Sequence, residues 1–300
     1  MLWWLSLPVA VLVWATLIER NWFAIRREEL RVLPKGSTDI IVLHISDIHL
    51  APWQRRKIGW IKQLARKTKP DLVINTGDNL GHPKAVSKVL DALNNLSGVP
   101  GVYVNGSNDL YAPAIRNPIG YLFGTTKTVE PRHQEKLDIA SLTEGFEGFG
   151  WLSLNNNSTT LRINGQQINF IGTDDFHENR HDFKTLKATA ENLKTANLTI
   201  GVTHAPYREV LTELDSLGAE IIFAGHTHGG QVCLPFTGSA LVTNCDLPTR
   251  YARGLHQTEK ELVGVKTWLQ VCAGVGTSIF APVRLACRPE VRVLTLRAKD

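Results

Sequence analysis

The chain has 300 residues and a mass of 33.3 kDa; 43% of its residues are hydrophobic, 20% are charged, and 24 are glycine and 14 proline. Such a chain can bury a full core, which excludes disordered, collagen-like and disulfide-stapled classes. The net charge of +5 permits a membrane-surface or phosphate-bearing partner. No stripe of basic and stacking aromatic residues is present, so we expect no nucleic-acid partner.

The N-terminal segment is the first predicted element. Residues 2–18, L-W-W-L-S-L-P-V-A-V-L-V-W-A-T-L-I, carry no charge and reach the lower length limit of a membrane-spanning helix. Glu19 and Arg20 follow directly, without the cleavage pattern of a secretory signal. We therefore predict residues 1–20 as a retained anchor, either transmembrane or interfacial; the alternative is a helix buried against the domain.

Charge beside this segment predicts its orientation. Basic residues all lie on its C-terminal side, at Arg20, Arg26, Arg27 and Arg31. An excess of Lys and Arg marks the cytoplasmic flank, so we expect a membrane-associated protein with its catalytic domain in the cytoplasm. Residues 21–38, broken by proline and glycine, are predicted as a linker, and residues 39–300 as one domain.

The next elements alternate between strand and helix. β-branched runs at 39–45, 71–75 and 101–105 are separated by helical patterns at 54–69 and 85–96. This order predicts a β-α-β-α-β unit, typical of a buried and mainly parallel sheet in an α/β protein. The first helical pattern is strongly basic, and its charged side chains either form a solvated face or meet anionic lipid headgroups. These residues are Arg55, Arg56, Lys57, Lys62, Arg66, Lys67 and Lys69.

The second half of the chain continues the α/β pattern. Residues 111–150 are irregular, and we predict a cap over a site there. Asn164-Gly165 between two alternating runs predicts a hairpin, because both residues tolerate a positive φ. A helix at 183–196 and strands at 198–203, 219–224, 267–271 and 291–296 follow. Cys233, Cys245, Cys272 and Cys287 are predicted as reduced packing residues; a bond from Cys245 to Cys272 or Cys287 stays open for an exported domain.

Unusual polar residues follow the predicted strands at the point where each strand ends. In open α/β sheets this edge binds ligands. Carboxylates and imidazoles together suit Mn, Fe or Zn better than Ca, and alternate residues of an extended segment can reach one centre. The segments are Ser46-Asp47-Ile48-His49, Gly77-Asp78-Asn79, Gly106-Ser107-Asn108-Asp109, His204 and Gly225-His226-Thr227-His228-Gly229-Gly230.

These five elements, in this order, resemble the calcineurin-like metallophosphoesterase family and its membrane-associated phosphodiesterase branch. The resemblance covers residues 39–298 and implies a four-layer α-β-β-α sandwich with two divalent metal ions. It implies one metal on Asp47, His49 and His228, a second on His204 and His226, and Asp78 as a bridge. The ions would supply a hydroxide that attacks phosphorus.

The third element departs from the family pattern G-N-H-D/E. Register puts Ser107 at the metal-ligand position, but a neutral hydroxyl is a poor ligand, so we favour the Asn108 carbonyl, with Asn105 as the fallback. The resemblance thus implies Asp78 and Asn108 as catalytic residues. With no histidine in this loop, the leaving group loses a proton donor worth typically 10²- to 10⁴-fold. His82, His177 and His181 are possible substitutes, and mid-strand His44 is predicted to be a core residue.

The function expected from these features is metal-dependent hydrolysis of a phosphodiester or pyrophosphate in a membrane- or envelope-associated, possibly lipid-linked substrate. A phosphomonoesterase or nuclease is the enzymatic alternative. A non-catalytic metal-binding sensor or scaffold is the other, because the G-S-N-D loop is altered. The sequence does not identify the substrate-binding residues or the oligomeric state.

Overall fold

The fold was analysed in a computed structural model, which describes residues 3–113, 135–260, 264, 266–277 and 279–300. The α-helices are α1 Trp3–Val13, α2 Arg55–Ile61, α3 Leu64–Thr68, α4 Val86–Leu93, α5 Ser107–Leu110, α6 Ile139–Gly148, α7 Phe183–Ala190 and α8 Arg208–Ser216. The strands are β1 Ala24–Leu33, β2 Ile40–Ile45, β3 Leu72–Asn75, β4 Gly101–Tyr103, β5 Trp151–Ser153, β6 Asn157–Ile163, β7 Gln166–Gly172, β8 Leu198–Val202, β9 Ile221–Ala224, β10 Gly254–Gln257, β11 Trp268–Val271 and β12 Glu290–Ala298.

The strands form two six-stranded sheets. The first has the order β1-β12-β2-β3-β4-β5 and the second β10-β11-β9-β8-β7-β6. Strands β2 to β5 run parallel, as do β7, β8, β9 and β11. The predicted hairpin at Asn164-Gly165 joins antiparallel β6 and β7, and both residues have a positive φ. The parallel strands of each sheet therefore send their carboxyl ends to one edge.

Three apolar clusters order the layers. One joins the sheets face to face, for example through Val42 and Ile74 on the first sheet and Phe223 on the second. Another packs the outer face of the first sheet against α3, α4 and α6, and the third packs the second sheet against α7 and α8. The order is helices, sheet, sheet, helices, as the predicted four-layer sandwich requires.

The predicted linker 21–38 was wrong. Residues 24–33 form β1, which pairs in parallel with β12 at the end of the first sheet. Its many charges look like a solvated connection in the sequence, but several are paired across the two strands: Arg292 contacts Glu28 at 2.6 Å and Arg297 contacts Glu29 at 2.8 Å. The sequence pattern failed because these partners lie far along the chain.

Several helix boundaries also differ from the prediction. The pattern at 54–69 breaks into α2 and α3, and the pattern at 183–196 gives only the shorter α7. Part of the predicted cap at 111–150 is α6, whose Leu142 and Phe146 are buried in the core. Residues 114–134 of that cap, His133 among them, lie outside the described residues.

The N-terminal segment begins with α1, followed by a π-helical turn, Trp14–Ile18, and a 3₁₀ turn, Glu19–Asn21. Among the residues that the structure describes, no helix is long and apolar enough to cross a membrane, so the spanning form of the anchor prediction is not supported. The segment contacts the domain through buried Glu19, whose Oε1 accepts a hydrogen bond of 2.7 Å from the Cys287 amide. All four cysteines are free and buried, as predicted for packing residues.

Candidate metal centre

The five polar segments predicted at strand ends meet between the two sheets. Those after β2, β3 and β4 come from the first sheet, and those after β8 and β9 come from the second. Their loops are bound to each other: the amide of Asp47 donates to the carbonyl of Gly77, and the amide of Gly225 donates to that of His204, at 2.9 and 2.8 Å. Backbone hydrogen bonds thus fix the edge where the side chains converge.

The backbone of these segments is strained. Asp47, His49, Asp78, His226 and His228 all have a positive φ, between 40° and 67°. A non-glycine residue in this left-handed region costs of order 1–3 kcal/mol, and such residues cluster at functional sites. The surrounding fold therefore holds these five side chains in orientations that the chain alone would avoid.

One donor group consists of Asp47, His49 and His228, whose candidate ligand atoms lie within 4.8 Å of one another. The Nε2 atoms of the two histidines are 3.1 Å apart. Oδ1 of Asp47 is 3.5 Å from Nε2 of His228 and 3.9 Å from that of His49. This is the first metal-ligand set that the resemblance implies.

A second donor group consists of Asp47, Asp78 and His204. Nε2 of His204 lies 3.6 Å from Oδ2 of Asp78 and 3.3 Å from Nδ1 of His226. Oδ2 of Asp78 is also 3.4 Å from Nε2 of His49, so Asp78 lies between the two groups. The structure therefore brings together all six carboxylates and imidazoles singled out in the sequence.

The donor chemistry fits cations. Oδ1 of Asp47 is buried and, among the described residues, has no hydrogen-bond partner. Burial lowers the pKa of His49 to about 4 and holds the pKa values of His226 and His228 well below their usual range. These imidazoles are therefore neutral at pH 7, which is the form that binds a metal ion.

The charges of Asp47, Asp78 and His204 affect one another's pKa values. Burial works against the charge of His204, but the carboxylates of Asp78 and Asp47 raise its pKa to about 9. Burial also raises the pKa of Asp47, to about 6, whereas His204 and His49 bring that of Asp78 below its usual range despite burial. A proton on His204 compensates here for negative charge that a divalent ion would neutralise.

Within the altered G-S-N-D loop, Asn108 is the residue that contacts Asp78. Its backbone amide and its Nδ2 each donate to an oxygen of Asp78 at 2.8 Å. The alternative Asn105 instead donates its amide to Asn155. A Cβ at Gly106 would collide with Asp78 and His204, so only glycine allows the loop to approach this closely.

Four supporting residues were not recognised as such from the sequence. Asp109, named only as part of the G-S-N-D segment, accepts from the amides of Asn79 and Leu80 and so ties two loops together. Buried Arg284 donates to the carbonyl of His228 at 2.7 Å. The others are Lys57 and Asp175.

Lys57 was assigned to a basic surface helix, but it is 6% exposed and donates to the carbonyl of Ile48 at 2.8 Å. Burial, with Arg20 and Arg284, lowers its pKa to about 7. Asp175 is buried after β7, and burial raises its pKa to about 7. Asp175 could have been predicted from the sequence, because it is a polar residue that follows the end of a strand. No pattern in the residues around Lys57 indicates that its side chain is buried.

The histidines outside the two donor groups have different surroundings. His177 is the candidate proton donor nearest to the centre: its ring lies 5.5 Å from that of His226, and Nδ1 is 3.2 Å from the Tyr207 hydroxyl. His82 packs edge-on against Trp53, and His181 packs against Phe176. His44 is fully buried beside Phe223, as predicted.

A two-sheet α/β fold with carboxylates and neutral imidazoles gathered at its strand ends defines the class of metallophosphoesterases. The chain belongs to the calcineurin-like phosphoesterase family, whose profile matches residues 40–230. The resemblance read from the motifs is thereby confirmed.

Three relatives show how far the likeness extends. The uncharacterized metallophosphoesterase YkuE of Bacillus subtilis is 24% identical over 90% of this chain and 83% of its own. The UDP-2,3-diacylglucosamine pyrophosphatase LpxG of Chlamydia muridarum is 26% identical over 96% of this chain and 93% of its own. The phosphodiesterase YaeI of Escherichia coli is 26% identical over 93% of this chain and 90% of its own.

Proposed function

We propose that the chain is a hydrolase that cleaves a phosphodiester or pyrophosphate with the help of two divalent ions. The observation that carries the proposal is the pair of adjoining donor groups that share Asp47. Asp47, His49 and His228 would hold one ion, and His204, His226 and Asn108 the other, with Asp78 between them. Bound ions would lower the pKa of a water molecule and stabilise charge on the phosphoryl oxygens.

Asn108 enters this proposal through its side-chain amide. In the structure, Nδ2 of Asn108 donates to Oδ2 of Asp78. Rotation of the side-chain amide by 180° would exchange Nδ2 and Oδ1, so that the carbonyl oxygen could bind an ion next to Asp78. Mn, Fe and Zn all accept such a mixture of oxygen and nitrogen ligands.

The choice of bond follows from the missing histidine in the G-S-N-D loop. Without a proton donor in that loop, the reaction favours a leaving group that is stable as an anion. A phosphate ester that leaves from a pyrophosphate meets this condition better than an alkoxide does. His177, whose ring lies 5.5 Å from that of His226, is the candidate donor that we propose instead. This preference agrees with the pyrophosphatase activity named for one of the relatives.

The substrate is proposed to be membrane-associated and lipid-linked. Apolar side chains at the N-terminal segment are exposed, among them Leu7, Leu12 and Leu17, which are 70%, 58% and 64% accessible. Exposed apolar surface of this extent is typical of a contact with a partner or a membrane interface. We therefore propose an interfacial attachment, with the catalytic domain on the cytoplasmic side.

Hydrolysis of bis(p-nitrophenyl) phosphate tests the activity. The full chain, purified in detergent, is assayed with Mn²⁺ or with a chelator, beside Asp78→Asn, and bound metal is counted by mass spectrometry. Chelator-sensitive cleavage that Asp78→Asn abolishes would support a catalytic metal centre, and p-nitrophenyl phosphate measures any monoesterase activity.

The G-S-N-D loop also supports a second candidate, a sensor that binds metal without turnover. Stoichiometric metal with no cleavage of either nitrophenyl substrate, or of a pyrophosphate diester, would contradict the hydrolase and favour the sensor.

A further inference from the structure

A basic pocket borders the metal centre. Its volume is about 330 Å³, and its charged lining residues are Arg20, Arg55, Arg56 and Lys57. Lys57 contacts the carbonyls of Ile48 and His49, at 2.8 and 3.4 Å. Another part of the lining, residues 275–277, is hydrogen-bonded to the same segment through Gly276, whose amide donates to the Asp47 carbonyl at 2.6 Å. The backbone of residues 47–49 therefore lies between the pocket and the first donor group.

Among the residues that the structure describes, no acidic side chain pairs with these four basic groups. The pocket lining contains no acidic residue, and no carboxylate of the described residues forms an ion pair with any of the four basic groups. Glu19 lies next to Arg20 in sequence, but its carboxylate accepts from Trp14 Nε1 and from the amide of Cys287. Within the described part of the chain, the positive charge in the pocket is thus left without a carboxylate counter-ion.

Other buried cations of the chain differ in their partners. Fully buried Arg284 has backbone carbonyl partners, as Lys57 does. Arg292 is almost fully buried and contacts both Glu28 and Glu290, at 2.6 and 2.8 Å. Lys57 is equally buried, yet its partners in the described ranges are backbone carbonyls. A buried ammonium group without an acid is rare because its desolvation is not repaid. An anion from outside the chain would offset this desolvation.

The chemistry of the lining selects a phosphate. Arginine presents a planar fork of donors that matches phosphate oxygens, and lysine adds a point charge. Apolar surface continues from the pocket along the chain: Leu17 and Ile18 precede Arg20, and Trp53 stands beside Arg55, all of them exposed. An anionic group attached to apolar chains would satisfy both surfaces at once.

We propose that this pocket binds a phosphate group of an anionic lipid, and so holds a lipid-linked substrate by a phosphate other than the one that is cleaved. The role in substrate binding rests on the proposed function. Binding of the lipid phosphate itself needs no turnover and no metal.

The test is binding of the full chain to vesicles in the presence of a chelator, measured by cosedimentation. Vesicles of phosphatidylcholine mixed equally with phosphatidic acid are compared with vesicles of phosphatidylcholine alone. Arg55→Gln combined with Arg56→Gln should weaken binding to the acidic vesicles about 25-fold, taking about a fivefold contribution for each basic residue near an anionic lipid surface. Arg66→Gln combined with Lys67→Gln removes the same charge from exposed positions on α3 and should change binding less than about twofold.

Equal losses in the two double variants would overturn the pocket and leave only a diffuse charge effect. The source of the phosphate is decided by calorimetry with inorganic phosphate. If inorganic phosphate binds in an Arg55- and Arg56-dependent way while binding to acidic vesicles does not depend on those residues, the lipid assignment is wrong. Because these measurements exclude metal, loss of the proposed hydrolase activity would not affect them, and circular dichroism confirms that each variant is folded.

Discussion

The two sheets contribute different chemistry to one centre. The strand ends of the first sheet supply both carboxylates, Asp47 and Asp78, whereas those of the second supply three of the four imidazoles, His204, His226 and His228. Each donor group crosses the interface between the sheets. Neither sheet alone holds a complete group, so the packing between the sheets determines whether a cation can bind.

The carboxylate contribution is tested most directly by Asp78→Asn. We expect loss of activity by about 10³-fold or more, because a bound divalent ion supplies several kcal/mol of transition-state stabilisation. Hydrolysis rates and bound metal per chain are measured together. Asp91→Asn, which removes an exposed carboxylate paired with Lys62, is the matched control and should retain both hydrolysis and bound metal. Full activity in Asp78→Asn would contradict the proposed centre.

The packing between the sheets is tested by Phe223→Ala. Phe223 is fully buried in the cluster that joins the sheets, so its truncation should destabilise the chain by about 3–5 kcal/mol. Urea unfolding followed by circular dichroism measures this change. Leu234→Ala, at a 48% exposed position, should cost much less. A small effect at Phe223 would mean that the sheets do not depend on this contact.

Arg284 supports the second sheet's contribution by binding the His228 carbonyl, and through Nη2 it also binds the carbonyl of Ala273 at 2.7 Å. Replacement by Gln should weaken Mn²⁺ binding by about 10- to 100-fold, the usual effect of losing a residue that orients metal ligands. Calorimetric titration measures it. Arg288→Gln, near the N-terminal segment, is the control, and equal affinities for the two variants would reject a positioning role for Arg284.

A smaller effect is expected at His44, which faces the second sheet from the first. Burial, aided by Arg292, lowers its folded-state pKa to about 3 from the usual 6.5. Between these values the unfolded chain binds the proton and the folded chain does not, so this residue reduces stability as the pH falls through that window. The reduction is at most about 1.4 kcal/mol per pH unit.

His44→Gln removes this titration. Urea midpoints of both proteins are compared at several pH values with a chelator present, so that metal loss does not contribute. The wild type should lose more stability than the variant on acidification. Parallel pH dependences would show that His44 does not remain neutral in the folded chain.

Local sequence patterns predicted the residues of the candidate site better than they predicted the limits of the strands and helices. Asp47, His49 and the G-H-T-H-G-G segment were found because buried parallel strands are recognisable in sequence and their polar ends stand out against them. The positive φ values at these residues could not be predicted from the sequence, because only the folded loops impose them.

The failures have a common cause. β1 was missed because its charges are neutralised by residues of β12, and Lys57 was placed on a surface because its helix is otherwise basic and exposed. Arg284 is held by carbonyls from distant loops. In each case the deciding partner is remote in sequence, so no window of neighbouring residues contains the information.

The position of β12 has a consequence for synthesis on the ribosome. This strand pairs with β1 on one side and β2 on the other, yet it is translated after the other five strands of its sheet. Until then the nascent chain has two unsatisfied strand edges, and non-local closures of this kind are slow. The N-terminal segment emerges long before the sheet can close, so the proposed attachment to a lipid surface would precede completion of the proposed metal centre.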